Sequence, residues 1–239
     1  MSANEIPVAE ARSVRYFFKG QGMHLVLGTS LIFLAGTLVR PVLGDGSWLG
    51  IADVTWFWSA ICLAVVHQVL VWIVFRGQLG WAVLTRLFGG ADMVVWGLVF
   101  TPLLIARPIL LLGLAVADHG SLALPRALAW IASVIFLFPC WYALYSVLRY
   151  FGFARALGGD HFRLAYREMP LVREGAFRWS RNAMYAFVFL GLWSIALISA
   201  SAAALVLAIF QHAYVWVHYY ATEKADMELL YDPRFRSTS

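Results

Sequence analysis

Residues 186–221, AFVFLGLWSIALISASAAALVLAIFQHAYVWVHYYA, contain no Asp, Glu, Lys or Arg, and the small residues Ser199-Ala200-Ser201 sit in their middle. Two apolar arms divided by such a turn predict a helical hairpin in a membrane, with arms at 183–199 and 202–221. Both arms are shortish, so a tightly packed antiparallel pair is expected. Charged residues crowd the two ends: LVREGAFRWSRNAMY at 171–185 and TEKAD at 222–226. Folding at 199–201 brings these clusters to one membrane face, where a site is expected.

The rest of the chain agrees with a membrane reading. Its 239 residues are 62% hydrophobic and only 13% charged, with mean hydropathy +0.75, which excludes an ordinary soluble domain. A span needs roughly 20 apolar residues, and six segments qualify: about 22–43, 52–75, 91–117, 126–148, 183–199 and 202–221. The expected class is an all-α, polytopic integral membrane protein. No repeat or linker divides it, so a single domain over 1–239 is expected, made of a four-span scaffold (1–148) and a chemistry-bearing part (149–239).

Basic residues are retained on the cytoplasmic side. Arg12, Arg15 and Lys19 precede the first span, Arg76 and Arg86 follow the second, and a run of arginines from Arg149 to Arg181 follows the fourth. The opposite loops hold Arg40 and Arg126 beside Asp45, Asp53 and Asp118. Both termini and the 149–182 loop are therefore expected in the cytoplasm. The net charge of +5 and pI near 9.4 read as orientation and anionic-lipid contact rather than nucleic-acid binding.

The first 20 residues lack a signal-peptide cleavage pattern, and Glu5 and Glu10 argue against a transit peptide, so the first span is expected to be retained. Cys62 and Cys140 fall within spans without ligand spacing, so neither a disulfide framework nor a metal site is expected. Pro102 and Pro108 predict a kink or break in the third span. Arg107 beside Pro108 reads as a structural or lipid-headgroup contact, or as a substrate-path residue. His67 and Asp92 read as hydrogen-bonded or helix-end groups.

Within the first cluster, Gly175 permits a tight turn with positive φ and close approach to a ligand. Phe177, Trp179 and Tyr185 supply aromatic faces, while Arg178 and Arg181 supply forks for a carboxylate and share a face if the segment is helical. A ligand carrying both a cation and a carboxylate suits this mixture, and S-adenosylmethionine is one. On the last span His212, Tyr219 and Glu223 form one polar stripe on an ideal helix. Glu223 and His218 sit near the face and His212 deeper, for packing or a substrate passage. The alternative for this stripe is an interfacial aromatic belt ending in charges.

Leu171-Val172-x-x-Gly175-x-Phe177-x-x-x-Arg181-Asn182-Ala183-Met184-Tyr185 resembles the LVxxGxYxxxRHPxY signature of the membrane isoprenylcysteine carboxyl methyltransferase and phospholipid methyltransferase superfamily. Thr222-Glu223-Lys224 resembles its second, acidic motif. The resemblance covers about 145–235 and implies a bound S-adenosylmethionine at the cytosolic face, with a lipid entering from the bilayer. Gly175, Arg181, Asn182, Tyr185 and Glu223 would inherit the cofactor contacts. Three departures stand out: Phe177 for a usual Tyr, Asn182-Ala183 for His-Pro, and Lys224 for the second acid.

The implied reaction is displacement at a sulfonium methyl, in which alignment is the enzyme's main contribution. An amine acceptor must first lose a proton, to Glu223, His218 or a linked water; a carboxylate acceptor needs no base. The expected function is N-methylation of a phosphatidylethanolamine-type headgroup, with carboxyl methylation of an isoprenylcysteine, or methylation of another lipophilic acceptor, as alternatives. Trp179, His212, Tyr219 and Arg107 are the candidate substrate contacts. Asp160, His161 and Arg163 line the entrance or form a solvated loop. Rival classes are a sterol reductase, which usually has more spans, and a small transporter using Arg107, His67 and His212. The oligomeric state is left open.

Overall fold

The computed structural model describes residues 7–231; Glu5 lies outside them. With no water in a bilayer to satisfy backbone groups, apolar segments close their hydrogen bonds internally. The result is α1 (Gln21–Val39), α2 (Asp53–Trp81), α3 (Asp92–Ala117), α4 (Arg126–Ser146), α5 (Leu190–Ile198), α6 (Ala202–His218) and α7 (Lys224–Tyr231). A small antiparallel pair, β1 (Ser47–Trp48) and β2 (Ile51–Ala52), joins α1 to α2.

Among the described residues, five stretches are long and apolar enough to cross a membrane: Val14–Val39, Asp53–Trp81, Val83–Ala117, Arg126–Phe151 and Ala202–Tyr231. The polytopic all-helical class is as expected. The first hairpin arm, the fifth expected span, is the shorter apolar stretch Met184–Ile198, below the length of the other five.

The hairpin turns where expected. Ala200 takes φ +46°, and Ser201 caps α6 by accepting the Ala204 N–H at 3.0 Å. Asp118 fastens this end of the bundle, accepting from Ser201 Oγ at 2.6 Å, Ser121 Oγ at 2.7 Å and Ala203 N–H at 2.9 Å.

Helix α3 runs through Pro102 and Pro108 without interruption, so the expected break does not occur. In a bundle, neighbouring helices and the remaining ladder bonds hold a proline-bearing helix that water would open. Small residues such as Ala64, Ala115, Ala196 and Ala204 fill the core between α1, α2, α3, α5 and α6 and let the backbones approach. Ser133 and Ser194 lock α4 to α5 by reciprocal bonds, each hydroxyl donating to the other's carbonyl at 3.0 and 2.8 Å.

At the opposite end of the bundle, the 147–183 loop folds over α2, α3 and α7. Asp92 begins α3 and is gripped by Arg163 from that loop, with Thr85 also donating to it, as expected of a helix-end carboxylate. His67 differs from expectation: it lies buried midway along α2 against Phe100, and neither ring nitrogen has a hydrogen-bond partner among the described residues.

Candidate active site

The two charged clusters meet. Tyr185 Oη donates to Glu223 Oε2 at 2.5 Å, and His218 Nε2 lies 3.3 Å from Glu223 Oε1. The first motif runs into a π-turn at Met184–Val188, and the second begins within one at Tyr219–Glu223. Such wide turns re-aim side chains and are frequent at functional sites.

Beside this contact lies a cavity of about 1020 Å³. Its mouth carries Arg178, Trp179, Arg181, Asn182, Tyr219 and Lys224, and its deep wall is formed by His67, Val71, Phe100 and Arg107. It thus passes from a basic, aromatic rim into an apolar interior.

The structure sorts the candidate residues. Phe177 is buried, stacked on Phe151 with centroids 5.1 Å apart, and forms part of the wall. Trp179 is 72% exposed at the rim, leaning on Tyr142. Arg178 ends a single 3₁₀ turn, Gly175–Arg178, so it and Arg181 do not share a helical face; both are exposed at the mouth. Gly175 does not line the cavity. Its φ is +59°, and a Cβ there would stand 2.8 Å from Ser146 Cβ and closer still to its Oγ, so this glycine docks the loop on α4. Ala176 N–H donates to the same Ser146 hydroxyl at 2.9 Å.

The expected polar stripe divides. The π-turn at 219–223 shifts the helical phase, so Tyr219 and Glu223 line the cavity while His212 stacks on Phe189 at 5.7 Å, outside the lining. His218 is fully buried behind Glu223, its ring 5.6 Å from that of His24. Lys224, at the rim, lies 5.7 Å over the Tyr220 ring.

A buried network under the mouth is not legible in the sequence. Arg76 Nε pairs with Asp226 Oδ1 at 2.6 Å, Arg76 Nη2 donates to the Thr222 carbonyl at 3.0 Å, and Tyr16 Oη donates to Asp226 Oδ1 at 2.9 Å. Asp226 falls three residues after Glu223, a spacing that could have placed both near one site. His161 joins in, 3.2 Å from Asp160 and 3.5 Å from Asp226, stacked on Phe75 at 4.1 Å. Burial alone would lower the imidazolium's pKa; the carboxylates of Asp160 and Asp226 outweigh it and raise the value to about 9. Asp160, despite its own burial, is held below the usual carboxylate range by His161 and Tyr231. His161 is buried, Asp160 largely so, and both line the cavity, so the solvated-loop expectation fails for them, while Arg163 is bound to Asp92 outside the lining.

A helical membrane bundle around a cavity that joins a charged rim to an apolar interior has the form of an enzyme working on lipid-like molecules. Residues 127–234 match the family model of the phospholipid methyltransferases, within the membrane isoprenylcysteine and phospholipid methyltransferase superfamily that the motifs resemble. Over this C-terminal part, 108 of its 239 residues, the chain is similar to membrane methyltransferases of phospholipids. Comparison with curated proteins and with solved structures returned no significant match.

Proposed function

We propose that the protein methylates the amine of a phosphatidylethanolamine-type headgroup, using S-adenosylmethionine as donor, at the cytoplasmic membrane face. The observation that carries this reading is the Tyr185–Glu223 hydrogen bond, which joins both motifs at the wall of one cavity.

The residues suit the donor. Tyr185, Tyr219 and Phe177 offer aromatic faces to a sulfonium, and Arg178 and Arg181 offer forks to a carboxylate. Asn182 supplies both a donor and an acceptor. S-adenosylmethionine contributes an electrophilic methyl group. The cavity volume also leaves room for part of a lipid.

An ammonium headgroup must shed a proton before its nitrogen can attack. Glu223, at the cavity wall with His218 at its back, is placed to accept that proton, and Tyr185 orients the carboxylate. The apolar side chains of the deep wall, Val71 and Phe100, suit an acyl chain. A carboxylate acceptor would leave this base without a task, so N-methylation is the better fit.

The test is incubation of purified protein with methyl-labelled S-adenosylmethionine and either phosphatidylethanolamine or a farnesylcysteine analogue. Label is expected in phosphatidylethanolamine; label only in the farnesylcysteine ester would refute the amine reading.

A further inference from the structure

Arg107 lies 3% exposed on α3, with Nε donating to Gln211 Oε1 at 2.9 Å and its guanidinium 5.2 Å over the Phe189 ring. No carboxylate pairs with it among the described residues. Among the described residues its Nη2 has no hydrogen-bond partner, nor does Gln211 Nε2, nor either nitrogen of the buried His67. Arg107 and His67 both line the deep end of the cavity. A guanidinium in such surroundings is costly unless an anion meets it. The group left open is rich in N–H donors, which select acceptor oxygens.

Phe189 follows Tyr185 by about one helical turn, so Arg107 sits deeper than the Tyr185–Glu223 pair along the same cavity. The Glu223 carboxylate and the Arg107 guanidinium therefore stand at different depths of one cavity. We infer that Arg107, with Gln211 fixing its Nε and His67 beside it, forms an oxyanion subsite that holds a phosphodiester or carboxylate of the acceptor lipid. This rests on the reading that the acceptor occupies this cavity. A zwitterionic headgroup would then lie with its anion on Arg107 and its amine toward Glu223, so Arg107 sets which acceptors are positioned. Arg107 acts by position and takes no part in the transfer itself.

A purely structural Arg107, tying α3 to α6 through Gln211, makes the opposite forecast for a methionine in its place. The experiment is thermal unfolding of the detergent-purified protein titrated with dioleoylphosphatidylethanolamine, oleate or uncharged dioleoylglycerol. The phosphodiester lipid, the carboxylate, or both should raise Tm, and whichever does identifies the oxyanion; dioleoylglycerol should not. Arg107→Met should leave the lipid-free Tm unchanged or higher and abolish the lipid-dependent rise. Arg107→Lys keeps the charge without the fork and should weaken the lipid response about tenfold, which keeps the test open if the methionine variant does not fold.

Equal stabilisation by dioleoylglycerol, no response to either oxyanion, or a lipid response undiminished in these variants overturns the subsite. S-adenosylmethionine binding, measured by calorimetry on the same samples, should be unaffected by Arg107→Met. Its absence in all samples would count against the methyl-transfer reading and leave the lipid result to stand by itself.

Discussion

Tyr185 and Glu223, which stand at opposite ends of the apolar hairpin, share a 2.5 Å hydrogen bond at the cavity wall. Tyr185→Phe removes the donor while keeping the ring, and is expected to lower methyl transfer roughly 10- to 100-fold. Glu223→Gln, which cannot accept a proton, should lower it on the order of 10²- to 10⁴-fold. Both variants should insert and fold, and transfer of labelled methyl is the readout. Full activity of Glu223→Gln would remove that carboxylate from the reaction.

Arg178 and Arg181 are exposed at the mouth, so alanine at either position should leave folding intact. Arg181→Ala is expected to weaken S-adenosylmethionine binding by about tenfold or more, as loss of a charge-assisted bond does. Calorimetry checks this, and an unchanged Kd would assign the carboxylate contact elsewhere.

His161 makes stability depend on alkaline pH. Its folded pKa, about 9, lies above the ordinary 6.5. Its contribution is therefore full below pH 6.5 and lost as pH rises through 9. The difference is on the order of 3 kcal/mol. The groups facing it are Asp160 and Asp226, the latter also paired with Arg76. Thermal scans between about pH 6 and 10 should show a decline that His161→Gln flattens; parallel curves for the two proteins would deny His161 this part.

The Arg76–Asp226 pair is fully buried. Removing one partner strands the other, at a cost of about 3–5 kcal/mol. Arg76→Leu alone should thus lower denaturation resistance more than the double change Arg76→Leu with Asp226→Leu. If the double variant loses the sum of both single losses, the pair is not coupled.

Gly175→Ala confronts both φ +59° and the Ser146 side chain, whose Cβ would be 2.8 Å away. A loss of about 1–3 kcal/mol is expected. Easier proteolysis of the 171–178 segment in this variant would report the loosened docking on α4.

The sequence by itself determined the class of the molecule: apolar runs, small turn residues and clustered charge specify a helical membrane bundle with a terminal hairpin. It also determined that residues 171–185 and 222–226 share a face, because a turn at 199–201 leaves them nowhere else to go. Hydropathy and spacing are one-dimensional, however, and assume an ideal 3.6-residue turn. The tertiary structure alone decided where side chains point around each helix. The π-turn at 219–223 separates His212 from Tyr219 and Glu223; the 3₁₀ turn at 175–178 parts Arg178 from Arg181; and Ser146, remote in sequence, makes Gly175 a docking residue. The partners Arg76 with Asp226 and Arg107 with Gln211 arise from packing between distant helices, and no local pattern encodes which buried polar group will find which.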